Sequence, residues 1–72
     1  HGDLVMWLTL LGACQKWGNV ELGRWAFENA MELDDESAVT YVCMCNIYLD
    51  ADMHDAAEEI MALQKQKNVS NI

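Results

Sequence analysis

The sequence contains no proline, only four basic residues, and no apolar run long enough to cross a bilayer. Proline is the residue that breaks helices, so its absence permits a chain that is helical throughout. Four Lys and Arg against twelve Asp and Glu leave a net charge of −8. Such a surface repels a phosphate backbone instead of releasing its counterions, which argues against direct nucleic-acid binding. A membrane span needs about 18 consecutive apolar residues, and none is present. There is no initiator methionine and no charged-then-apolar leader, and the chain starts in mid-pattern at His1. A segment of something longer is expected.

Cysteine is scarce and odd in number. Cys43 and Cys45 are one residue apart, a spacing that strains an intramolecular disulfide, while Cys14 and Cys45 fall on apolar positions where a thiol acts as a small hydrophobe. Reduced core cysteines are expected. Side chains two apart on a helix point roughly 200° apart, so Cys43, Cys45 and a remote histidine make a poor metal site. No metal or cofactor is expected. Carboxylates are plentiful, but Asp50, Asp52, Asp55, Glu58 and Glu59 gather around His54 alone. They read as capping residues and a solvated face, not as catalytic groups.

What the sequence does contain is a repeat. Thirty-four residues carry Trp7 onto Tyr41, Leu10 onto Met44, Leu11 onto Cys45, Cys14 onto Tyr48, Gly23 onto Ala57 and Phe27 onto Met61. This is the period of helix-turn-helix arrays, in which a single hairpin cannot bury its apolar face alone and stacks on the next. The expected fold is all-α, with two tandem antiparallel hairpins over residues 1–36 and 37–72. Any function then lies on the surface of a short solenoid, not in one pocket.

Four helices are readable. Asp3 caps the first, which Gly18 ends in the left-handed conformation. Asn19 caps the second, with Leu22, Ala26, Ala30 and Leu33 down one face. The acidic stretch from Glu32 to Glu36 is the turn, and Ser37 caps a third helix reaching Ala51. Asp52 caps the fourth, whose stripe is Ala56, Ala57, Ile60 and Leu63 before Asn68 closes it. Between Leu4 and Cys14 only Thr9 is polar, and between Ala38 and Tyr48 only Thr40 and Asn46 are. Helices so apolar demand neighbours on several sides, so the second and fourth helices should line the outside. The first helix is therefore expected to present Leu4, Val5 and Leu8 to a missing preceding repeat, and to pair with a second copy when that repeat is absent. Trp17 and Trp25 fall outside the shared core positions and complete the candidate protein interface.

The run Trp7-Leu10-Leu11-Gly12-Ala13-Cys14, followed by Gly18-Asn19-Val20-Glu21-Leu22-Gly23, then Glu32-Leu33-Asp34 and Tyr41-Val42 with Asn46-Ile47-Tyr48, resembles the E-type motifs of plant pentatricopeptide repeat proteins of the organelle RNA-editing class. The resemblance runs from Asp3 to about Val69. Tetratricopeptide repeats share the period and the placement of Trp7, Gly23 and Phe27, so an adaptor that binds a peptide on its concave face is the alternative. The chain departs from the editing pattern at Asp35, where proline is usual, at Asp52, where glycine is usual, and at His54, where tryptophan is frequent. The resemblance implies a non-catalytic connector between an RNA-reading repeat array and a cytidine deaminase domain, carried in cis or recruited in trans. It also implies contacts with accessory editing factors in mitochondria or chloroplasts.

Two family activities can be tested on the residues. A zinc deaminase needs His-x-Glu and Cys-x-x-Cys, but His1 and His54 are followed two residues on by Asp3 and Ala56, and no cysteine pair has that spacing. Repeats that read RNA bases use polar side chains near the helix-one aromatic. Here Leu8 follows Trp7 and Val42 follows Tyr41, and neither can bond a base edge.

Overall fold

A computed structural model describes residues 3–67. Among them the regular structure is four α-helices: α1 Leu4–Trp17, α2 Val20–Leu33, α3 Ala38–Asp50 and α4 His54–Gln66. The expected closure at Asn68 lies outside the described residues. Both expected caps of the first hairpin form. Asp3 Oδ1 accepts from the Met6 amide at 2.9 Å, and Asn19 Oδ1 from the Leu22 amide at 3.1 Å.

The two hairpins turn in the same way. Gly18 has φ 71°, and Asp52, thirty-four residues on, has φ 63°. At each, the following amide reaches back to close the helix: Asn19 N–H to the Cys14 carbonyl at 3.1 Å, and Met53 N–H to the Tyr48 carbonyl at 2.8 Å. This is the Schellman arrangement, which a left-handed residue makes possible. Asp52 therefore does not cap α4, as the sequence suggests. A residue holding left-handed φ to end α3 cannot also take the extended conformation that an N-cap requires. Met53 occupies the N-cap position with no side-chain cap bond, and Asp52 Oδ1 instead meets His54 Nε2 at 2.7 Å, on the exposed surface. Asp52→Gly is expected to raise stability by about 0.5–1 kcal/mol, because glycine removes the left-handed strain while the exposed ion pair contributes little. A urea midpoint unchanged or lowered by this substitution contradicts that account.

Two further boundaries shift. Glu32 and Leu33 belong to the last turn of α2, so the connection starts at Asp34, whose Oδ1 accepts from the Glu36 amide at 2.9 Å. Ser37 does precede α3, but its hydroxyl makes no capping bond. On α2 the buried stripe is Gly23, Ala26, Phe27 and Ala30. Leu22 and Leu33, expected on that face, stand 37% and 52% exposed, because the stripe that meets α3 runs through positions 23 and 27 at i and i+4.

α3 is the centre of the molecule. It packs against α1, α2 and α4, while among the described helices α4 meets α3 alone. Tyr41, Met44, Cys45, Ile47 and Tyr48 are buried there, as the demand for neighbours on several sides requires. α1 buries only Trp7, Leu11 and Cys14, since it stands at one end of the stack. The hairpins are joined by a T-shaped contact of Phe27 with Tyr41, centroids 6.1 Å apart, and by Arg24 Nη1 donating to Tyr48 Oη at 2.9 Å. Lys67 Nζ, 3.2 Å from Asp35 Oδ2, ties the end of α4 to the turn between hairpins.

One buried side-chain polar atom has no partner among the described residues, the Thr40 hydroxyl in the first turn of α3. An unsatisfied buried hydroxyl costs about 1–3 kcal/mol, and valine has the same shape without it. Thr40→Val is expected to stabilise the fold by about 1 kcal/mol in urea denaturation; a loss of stability would mean that the hydroxyl is satisfied.

Candidate protein interface

The five residues expected at an interface separate into two groups. Val5 and Trp17 stand 70% and 77% exposed and Trp25 about half, with its ring edge-on to the buried Trp7 at 4.8 Å and 83°. Leu4 and Leu8 are half-buried and pack against the core. They flank the Trp7–Leu11–Cys14 stripe on one side of α1. On the other side lie Met6, Leu10 and Ala13, which the sequence reading did not place at an interface.

These residues form a built surface. Leu10, Ala13, Cys14 and Trp17 of α1, with Asn19 and Leu22, enclose an apolar cleft of about 190 Å³ at the tip of the first hairpin. Lys16 Nζ lies 5.5 Å from the centre of the Trp17 ring and leaves the ring exposed. A second apolar groove of about 330 Å³ runs along α3, lined by Ala38, Val39, Val42 and Cys43. It contains Val42, one of the two positions where a base-reading side chain would stand. The other, Leu8, is turned into the packing. The sequence carries no signal for either surface, because helical periodicity does not say which flank of a helix the next hairpin covers.

The chemistry available at these surfaces is contact, not catalysis. Burial pushes the thiols of Cys14, Cys43 and Cys45 up from their ordinary range, so they are protonated and weakly nucleophilic at neutral pH. Burial first, then the neighbouring Asp35 and Asp34 charges, raise the Tyr41 phenol, whose hydroxyl donates to the Asp35 carbonyl at 2.5 Å. Arg24 is held in its charged form chiefly by the Tyr48 hydroxyl and secondarily by Glu28, 3.0 Å away. No group of three potential metal ligands occurs among the described residues, and no described helix is long and apolar enough to cross a membrane.

No family model and no solved structure matches the chain. Its relatives are plant pentatricopeptide repeat proteins. A putative pentatricopeptide repeat-containing protein of Arabidopsis thaliana is 36% identical over 67 residues, which are 93% of this chain and 9% of the relative. A mitochondrial one from the same plant is 42% identical over 62 residues, 86% of this chain and 8% of its own length. A chloroplastic one is 34% identical over 69 residues, 96% and 8%. The chain thus spans about a tenth of the length of the curated relatives it matches.

Proposed function

We propose that this chain is a non-catalytic interaction and linker segment of a plant organellar pentatricopeptide repeat protein of the RNA-editing class. It joins an RNA-reading repeat array to a cytidine deaminase domain, in the same chain or recruited in trans, or to accessory editing factors. The observation that carries this reading is the character of the exposed surface. Of the two positions from which a repeat would read a base, one holds the exposed Val42 and the other Leu8, packed against the core; the chain is charged −8, and an apolar groove along α3 and an exposed Trp17 at the tip of the first hairpin lie on its surface. Such faces suit protein contact and repel RNA. The mitochondrial and chloroplastic names among the relatives fit an organellar setting.

The test is a pair of binding measurements. Single-stranded RNA at physiological salt is expected to give no saturable fluorescence anisotropy change. A purified deaminase domain of an editing factor is expected to be retained by the immobilised chain. Tight RNA binding, or no retention of the deaminase domain or of any accessory editing factor, overturns the linker reading.

A further inference from the structure

The outer face of α2 carries an aromatic ring where the repeat otherwise places a polar side chain. Glu21, Arg24, Trp25, Glu28 and Glu32 lie at helical spacing opposite the buried stripe of Gly23, Ala26, Phe27 and Ala30. Thirty-four residues on, their images on α4 are Asp55, Glu58, Glu59, Ala62 and Gln66, and every one of these positions is exposed in both hairpins. The face is therefore open on α4, which has a hairpin before it, and on α2, which has one after it. Among the described helices α4 meets neither α1 nor α2, so a second helix is not covered on this face by a neighbouring hairpin. The exposure of Trp25 follows from the geometry of the stack and not from the place of α2 along the chain.

The image of Trp25 is Glu59, and half of the Trp25 surface stays bare although the ring meets Trp7 at 4.8 Å. Its neighbours on the face are anionic. Glu21 and Glu28 stand one turn away at i−4 and i+3, and Glu32 follows at i+7. Glu21 and Glu32 form no ion pair among the described residues. Arg24 is committed elsewhere: its Nε meets Glu28 at 3.0 Å, its Nη1 donates to Tyr48 Oη, and its guanidinium lies 5.7 Å from the centre of the Phe27 ring. The exposed Trp17 has a cation of its own in Lys16. Trp25 has carboxylates beside it and, among the described residues, no cation over its ring.

We infer that the outer face of α2 docks a basic polypeptide segment, an arginine of which lies on the Trp25 ring while Glu21 and Glu32 receive its N–H groups or those of its basic neighbours. A guanidinium is planar, keeps its charge, and is attracted to an aromatic face while its N–H groups bond carboxylates at the edge. Arg24, with Phe27 and Glu28, already makes this combination of ring, guanidinium and carboxylate within the chain. An acidic partner is repelled by the glutamates, and a neutral one leaves them unpaired. The face from Glu21 to Glu32 is about 16 Å long at roughly 1.5 Å per residue, or about three turns of a partner helix. The net charge of −8 draws a basic segment toward it. This inference rests on α2 and is independent of the editing role, so its failure leaves the linker reading standing.

The probe is a fluorescein-labelled helical peptide of about 16 residues, with arginine at every fourth position in a background of alanine and glutamine. Its fluorescence anisotropy with the full chain at low ionic strength is expected to show saturable one-to-one binding that weakens as salt is added. Trp25→Leu is expected to weaken binding about tenfold, and so is Glu21→Gln combined with Glu32→Gln. Glu58→Gln with Glu59→Gln removes the same charge from the outer face of α4, where no tryptophan stands, and is expected to change the affinity by less than about twofold. Circular dichroism checks that each variant is folded, and the exposed glutamate pair decides the matter if Trp25→Leu unfolds. An α4 pair that weakens binding as much as the α2 pair means that net charge alone attracts the peptide, and overturns the inference. So does the absence of saturable binding, a folded Trp25→Leu chain that binds as wild type does, or equal binding of a peptide with glutamine in place of every arginine.

Discussion

Tyr41→Ala is expected to remove most of the stability of this chain. The ring is fully buried at the junction of the two hairpins, edge-on to Phe27, and its hydroxyl satisfies the Asp35 carbonyl in the connecting turn. Truncating a buried aromatic side chain costs about 3–5 kcal/mol. A chain of 72 residues has about 4–11 kcal/mol in all, and two repeats fall toward the lower part of that range. Tyr41→Phe keeps the volume and loses only the hydrogen bond, for about 1 kcal/mol. Urea denaturation followed by circular dichroism, at one low protein concentration so that self-association does not contribute, separates the two effects. A Tyr41→Ala chain that unfolds cooperatively within 1 kcal/mol of wild type, by the usual uncertainty of such measurements, would show that the hairpins do not share a core.

Gly23→Leu should drive the hairpins apart. Position 23 lies where α2 meets both its own partner and the next hairpin: a Cβ there would lie 2.9 Å from Ile47 Cδ1 and 3.4 Å from Cys14 Cβ. Ile47 is 1% exposed, so its methyl cannot swing out into solvent and has to shift within the core. Overpacking costs about 1–3 kcal/mol and a leucine falls at the top of that range, while the gain in helix propensity over glycine returns about 1. The net loss is about 2 kcal/mol. Gly12→Ala is the control, because a Cβ at Gly12 meets nothing within 4 Å; there the propensity gain acts alone and stability rises by about 1 kcal/mol. Combining Gly23→Leu with Ile47→Ala vacates the contested volume, so the double variant should lose less than the sum of the two. Strict additivity would mean that the two residues do not touch.

The two pairs of substitutions probe different links between sequence and structure. Tyr41 reports what the stack gains by burying one aromatic ring between hairpins. Gly23 reports the distance at which the hairpins are held, and hence the shape of the groove that the second hairpin leaves open. Asp52 and Thr40 are smaller departures of the same kind, one in backbone conformation and one in polar satisfaction, each tolerated because the surrounding helices over-determine the position.

Local signals were legible wherever one residue's chemistry acts within a few positions of itself. Asp3 and Asn19 read as caps and are caps, and Gly18 read as a left-handed stop and is one, because each satisfies backbone groups at most five residues away. The period of 34 residues fixed the architecture of two antiparallel hairpins, since apolar residues recurring at that spacing have no other way to be buried. Composition bore on what this surface can attract, through its charge. Asp52 shows the limit of such reading. An aspartate between two helices looks like the cap of the second, and only the backbone shows that it ends the first.

Only the tertiary structure decided which flank of each helix is covered. Leu22 and Leu33 are as apolar as Ala26 and Phe27, and Met6 as apolar as Leu4, yet one set lies in solvent and the other in contact. Hydrophobicity along a helix gives the direction of its own buried stripe; it does not say on which side the next hairpin will stand, because that depends on the angle at which α3 enters between α1 and α2. The sequence by itself determined that this protein is a pair of stacked helical hairpins. The packing of α3 determined which flanks of those helices are covered, because burial belongs to pairs of surfaces and no single helix carries the information about its partner.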